Sequence, residues 1–171
     1  MREYFMKTER IGFSKWDTND IRLARLLWRN TEVTKYLCAS GRFTEHDVNE
    51  RLAKEIDNES KFHVQYWPIF RLDGNCFIGC CGLRPYRLAD DIYEIGFHLL
   101  PDYWGEGFGT EAAKAVIEYA HKTLNAKDLF VGHHPDNTAS AIMLMKLGFC
   151  HTHNEYYEPT GLNHPSYMYR N

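Results

Sequence analysis

Three glycines, Gly105, Gly107 and Gly109, alternate with other residues between Trp104 and Thr110 and lead directly into a strongly helical stretch. Glycine reaches backbone angles closed to other residues, which lets successive N–H groups converge on one ligand. The helix that follows would aim its unpaired first-turn amides and positive dipole end at the same spot. That chemistry suits a phosphate or pyrophosphate. Trp104, Gly105, Glu106, Gly107, Phe108, Gly109 and Thr110 are therefore candidate contacts to a phosphorylated cofactor, the plainer alternative being a tight turn that only starts a helix. Two better-known glycine loops do not fit. A dinucleotide fingerprint spaces its glycines G-x-G-x-x-G, and here the third glycine comes one residue too soon. A nucleoside-triphosphate loop ends Gly-Lys-Ser/Thr, whereas this one ends Gly109-Thr110-Glu111 without a lysine.

Other reactive residue types point to less. His133, His134, His151 and His153 invite a metal reading, but neighbouring histidines in a strand face opposite ways and no tetrahedral spacing emerges, so no metal is expected. The five cysteines, Cys38, Cys76, Cys80, Cys81 and Cys150, are odd in number and form no CxxC pair. They read as reduced, mostly buried thiols rather than disulfides or a nucleophile.

The elements that must position these residues fit one domain spanning residues 1–171. A net charge of −3 argues against a nucleic-acid partner and is compatible with a cationic or amine substrate. No apolar run approaches membrane-spanning length and the N-terminus lacks a signal peptide's apolar core, so a cytoplasmic protein without a membrane partner is expected. Hydrophobic periodicity switches between two and about three and a half, which predicts an α/β (α+β) domain with a mixed sheet and helices on both faces. Strands are expected at Ile11–Trp16, His63–Arg71, Cys76–Leu83 and Ile92–Leu100, the last three as an antiparallel meander. Helices are expected at Ile21–Arg29, at Glu45–Asp57 after the cap Thr44 with a solvated polar side, and at Thr110–Leu124 with a stripe of Ala112, Ala113, Val116, Ile117 and Ala120. A strand at Leu129–Gly132 then completes a parallel crossover. Asp136 or Asn137 caps a helix over Thr138–Leu147 that Gly148 stops, and strands at Phe149–Tyr157 and Ser166–Arg170 end the chain.

Three segments, taken in order, carry a resemblance to a known family. Tyr93-Glu94-Ile95-Gly96-Phe97, the run Trp104 to Ala112, and Asp136-Asn137-Thr138-Ala139-Ser140 ending in Lys146-Leu147-Gly148-Phe149 resemble the GNAT superfamily of acetyl-CoA-dependent N-acetyltransferases over nearly the whole chain. The Trp-Gly opening and Asn-x-x-Ser spacing are most similar to the branch that contains the ribosomal-protein N-terminal acetyltransferases. The resemblance implies a GNAT-like fold whose fourth and fifth strands splay apart, with the pantetheine arm of acetyl-CoA in the gap, paired to the fourth strand as another strand would be. It puts His98, Leu99 and Leu100 beside that arm, the pyrophosphate on the amides from Gly105 to Thr110, and Asn137 across from it, unless Asn137 is only a helix cap.

The implied reaction is direct attack of a primary amine on acetyl-CoA in a ternary complex, the acceptor being a protein N-terminal α-amine or a small-molecule amine. Transfer needs a neutral nucleophile, a stabilised oxyanion and a proton for the thiolate. An α-amine of pKa near 8 loses roughly 1.4 kcal/mol to protonation at pH 7, a lysine amine near 10.4 about 4.6 kcal/mol, so a base matters more for lysine. Glu94 is the candidate base and an acceptor contact, or else a surface strand carboxylate. Many family members carry a tyrosine acid in the last helix where Met143 or Leu144 stands here, and Ser140 is the substitute the branch implies, as acid and cofactor contact. His98 could shuttle a proton if no bulge separates it from Glu94. Tyr36 and Phe43 flank the expected substrate entrance. Two further readings remain on the same fold: a non-catalytic acyl-CoA-binding or regulatory module, and a transferase of longer acyl groups. Either a monomer or a homodimer is compatible.

Overall fold

In the computed structural model, which describes residues 2–170, the strands are β1 (Met6–Lys7), β2 (Ile11–Phe13), β3 (Tyr66–Arg71), β4 (Phe77–Arg87), β5 (Ile92–Leu99), β6 (Asp128–Gly132), β7 (Cys150–Tyr157) and β8 (Leu162–Arg170). The helices are α1 (Ile21–Trp28), the single turn α2 (Thr31–Thr34), α3 (Glu45–Phe62), α4 (Phe108–Thr123) and α5 (Thr138–Leu147). The strands form one mixed sheet in the order β1-β2-β3-β4-β5-β6-β8-β7. Because β1 adds a two-residue strand at the start, the fourth and fifth strands of the expected scheme are β5 and β6 here.

Helices cover both faces. On one, Ala112, Ala113, Val116, Ile117 and Ala120 of α4 pack on Ile78, Leu83, Ile95 and Leu129 of the sheet. On the other, Ala24, Leu27 and Trp28 of α1 and Val48 and Leu52 of α3 pack with Tyr66, Phe70 and Cys80. The alternation of β5 follows from this: Ile95 lies in the α4 cluster, with Phe97 and Leu99 packed against it, while Glu94, Gly96 and His98 face the α1 and α3 side.

Several boundaries differ from expectation for local reasons. The first long strand ends at Phe13 rather than Trp16, because the Trp16 amide turns aside to donate to Gln65 Oε1 at 2.6 Å. Helix α3 runs on past Asp57 to Phe62 and stops only where His63 takes the left-handed conformation (φ 58°), which removes His63–Gln65 from β3. Its polar side is not simply solvated, since Glu55 is fully buried. The last strand starts at Leu162 rather than Ser166, and β4 continues to Arg87. Of the cysteines, Cys80 and Cys81 are buried, while Cys76 and Cys150 are exposed.

The parallel pair that frames the site is short. β5 meets β6 only at Ile92–Asp128, Tyr93–Leu129 and Glu94–Phe130. Beyond Glu94, β5 continues to Leu99 while β6 pairs with β8 on its other side over its full length. The backbone edge of Ile95–Leu99 is thus left facing a gap.

Candidate functional site

A cavity of about 1070 Å³ fills this gap. The glycine loop closes one end of it. After a turn of 3-10 helix at Pro101–Tyr103, Gly105 and Gly107 adopt φ of 77° and 82°, and Gly107 starts α4 without any side-chain cap. The first amides of α4 therefore have no side-chain acceptor, which is the arrangement that attracts an anion. The loop is tied down from behind by a contact that has no signature in sequence. Glu111 accepts from Thr8 Oγ1 (2.6 Å), the Arg10 amide (3.0 Å) and Arg10 Nε (2.7 Å), while Arg10 Nη1 donates to the Glu106 carbonyl at 3.0 Å. Burial works to raise the Glu111 pKa, and these bonds outweigh it and hold it below its ordinary value.

The residues singled out in the sequence divide into two groups. Trp104, Gly105, Gly107, Phe108, Gly109, Thr110, Asn137, Ser140, Glu94, His98, Leu99 and Tyr36 all line the cavity. Leu100, Glu106 and Phe43 do not. Leu100 is buried with its amide donating to the Ile78 carbonyl, Glu106 meets Arg10 through its backbone, and Phe43 packs against the cluster beneath α1. Trp104 is half-exposed, and its indole Nε1 donates to the Leu99 carbonyl at 2.9 Å, tying the loop to the end of β5. Asn137 caps α5, its Oδ1 accepting from the Ser140 amide at 3.2 Å. Where the family resemblance leads one to look for a tyrosine, Leu144 is buried in the core, and Met143 lines the cavity.

On the face toward α1 and α3, Glu94 and His98 sit on either side of Gly96 with no bulge between them. Tyr66 from β3 fills the space over Gly96 and donates its hydroxyl to Glu94 Oε1 at 2.6 Å. A methyl group on Gly96 would lie 2.2 Å from the Tyr66 ring. Gly96→Ala is therefore expected to destabilise the fold by about 2 kcal/mol through overpacking, read as a lowered urea midpoint with an unchanged slope.

His98 accepts at Nδ1 from the Trp28 indole at 3.1 Å. An indole N–H only donates, and burial, with Arg51 and Arg84 nearby, pushes the imidazole well below its ordinary pKa. The ring is neutral with its proton on Nε2, so it offers a hydrogen-bond donor. It does not suit the proton shuttle considered from sequence. Behind Tyr66, the buried Glu55 carboxylate binds Arg51 Nε (2.9 Å), Arg84 Nη2 (2.7 Å) and the Tyr66 amide (2.8 Å). Arg51 and Glu55 stand four residues apart on α3, one helical turn.

At the far end of the cavity, His134 and His164 approach with ring centroids 5.8 Å apart. Burial, reinforced by His134 and His133, pushes His164 down to about 4. Among the described residues no group of three or more His, Cys, Asp and Glu could hold a metal ion. No helix there is long and apolar enough to cross a membrane.

The family model described as the acetyltransferase (GNAT) domain matches residues 10–150. An uncharacterized N-acetyltransferase of Bacillus subtilis (strain 168), YnaD, is 30% identical over 142 residues, covering 82% of this chain and 79% of its own length. Among solved structures, a GNAT-family acetyltransferase from Bacillus anthracis superposes with a TM-score of 0.80 at 24% identity, over 96% of this chain and 97% of that one. A ribosomal-protein-S5-alanine acetyltransferase from Vibrio fischeri gives 0.77 at 19% identity, over 97% and 96%. Both structures share the fold.

Proposed function

The chain belongs to the GNAT acetyltransferase family, and from that premise we propose that it moves the acetyl group of acetyl-CoA to a primary amine, an α-amine or another amine of low pKa, by direct attack. One observation carries the reading: the Ile95–Leu99 edge of β5, which no strand among the described residues pairs, leads from the uncapped start of α4 to the Glu94 carboxylate within a single cavity. An extended chain ending in pyrophosphate fits that path, with its backbone-like amides on the strand edge and its phosphates on the loop. Glu94 accepts the proton of the attacking amine, directly or through a water. The amine nitrogen bonds to the thioester carbon, the carbon–sulfur bond breaks, and the thiolate takes a proton from Ser140 or from solvent. The Leu99 backbone N–H, turned from β4 toward the gap because Leu100 donates to Ile78, supplies the oxyanion contact. Asn137 and Ser140 line the same cavity as β5, which supports contacts to the cofactor arm.

The test is CoA release from acetyl-CoA across amino-terminal peptides, lysine peptides, polyamines, amino acids and aminoglycosides, with the CoA freed by acetylation of the exposed Cys76 and Cys150 subtracted. Acceptor-dependent release is expected for α-amines. Retained acetyl-CoA binding with no release from any amine would sink the proposal. A second expectation concerns the loop. Glu111→Gln weakens a charged bond to Arg10 and should raise KM for acetyl-CoA by about fivefold, with kcat little changed, because the phosphate-binding turn loses its anchor to the β1–β2 hairpin.

A further inference from the structure

Resting on Glu94 as the base, we infer that Tyr66 is a positioning residue of the reaction: its hydroxyl holds the Glu94 carboxylate aimed into the cavity. Tyr66 is the one protein donor to that carboxylate among the described residues, at 2.6 Å. Its ring is clamped on every side. Gly96 leaves room below it, the Arg84 guanidinium lies 4.1 Å and Arg51 5.4 Å from its centroid, and His98 meets it edge-on at 5.8 Å.

The two arginines show what the clamp is for. Arg84 Nε and Arg51 Nη2 are buried without any hydrogen-bond partner. Leaving such N–H groups unbonded is unfavourable, and here the guanidiniums stack on the ring instead. Both share one carboxylate, Glu55, so one positive charge remains uncompensated beside Tyr66. Glu94 stands opposite Arg84 in the β4–β5 register.

The groups facing Glu94 are Tyr66 from β3, Arg84 and Tyr86 from β4, Lys54 with Arg51 and Glu55 from α3, His98 along its own strand, and Tyr157 from β7. His98 is neutral, as argued above. Burial and the adjacent Glu94 push the Tyr66 hydroxyl well above its ordinary pKa, so it remains a donor throughout the working range. Tyr66→Phe keeps the ring, the clamp and the packing over Gly96 and deletes only that donor.

The test compares the pH dependence of kcat/KM for the intact protein, Tyr66→Phe and Glu94→Gln, with a peptide α-amine as acceptor and acetyl-CoA affinity measured in parallel. A donor to the carboxylate stabilises its ionised form, so its removal raises the pKa. The acidic limb in Tyr66→Phe is expected to move up by about one pH unit, with acetyl-CoA affinity unchanged. A merely structural role would lower the whole profile without moving the limb, and that outcome overturns the inference. Glu94→Gln separates the two layers. If it lowers the rate and leaves only a limb set by the acceptor's own pKa, while Tyr66→Phe leaves the intact protein's limb in place, the base assignment stands and the Tyr66 role fails. If it retains both limb and rate, both fall.

Discussion

Glutamine in place of Glu94 is expected to lower kcat/KM for acetyl transfer by about a hundredfold or more, the usual range for a lost general base. The substitution is nearly isosteric and still accepts the Tyr66 hydrogen bond, so neither the β4–β5 ladder nor the cavity wall need change. What disappears is a site for the amine's proton. At pH 7 the variant must wait for amine that is already neutral, and a lysine side chain has roughly 3 kcal/mol further to go than an α-amine. Discrimination against lysine acceptors should therefore widen. The remaining activity should climb about tenfold per pH unit until the acceptor's own pKa is reached, near 8 for an α-amine. Initial-rate CoA release from paired α-amine and lysine peptides between pH 6 and 9 checks both slopes. A flat profile at the intact protein's rate would show that Glu94 does no proton chemistry.

Much of this frame could be read from the chain, and the parts that could not have a common cause. Helix α5 was legible to the residue, because Asn137 and Gly148 mark its two ends by local chemistry. The alternation of Glu94, Gly96 and His98 against Ile95 was equally readable, since a strand has period two. Phe43 and Leu100 carry no such local mark. Whether a half-apolar residue near a cleft faces inward or into the core depends on which helix closes over it, and both turn inward. The splay of β5 from β6 entered through family resemblance, not periodicity. It is a property of pairing between strands more than 30 residues apart. Tyr66 and Glu55 were missed for the same reason. Tyr66 looks like one more core aromatic until its hydroxyl is seen to reach β5, and two of the groups on Glu55, Tyr66 and Arg84, come from strands β3 and β4 rather than from its own helix.

Glu55 also sets the largest expected loss of stability. Glu55→Ala should destabilise the fold by about 3–5 kcal/mol, because it leaves two guanidiniums buried around one missing carboxylate. That is a sizeable share of a domain's net stability, and equilibrium urea unfolding would report it as a large fall in midpoint. The penalty comes from stranded charge more than from lost attraction. Glu55→Met combined with Arg84→Met should therefore recover part of what Glu55→Ala loses; no recovery would mean that packing dominates. The pH dependence follows in sign. Burial works to raise the Glu55 pKa, but Arg84 and Arg51 outweigh it and hold the carboxyl below its ordinary range. A group depressed on folding contributes its stability above the unfolded value near 4.3 and loses it as pH falls through the lower folded value. The advantage of the intact protein over Glu55→Gln should thus be full at neutral pH and shrink in acid. Because Glu55 also accepts the Tyr66 amide, the fraction of Glu55→Gln that remains folded should show weakened turnover as well. The carboxylate that anchors α3 to β3 and β4 is one hydrogen bond from the tyrosine that reaches Glu94.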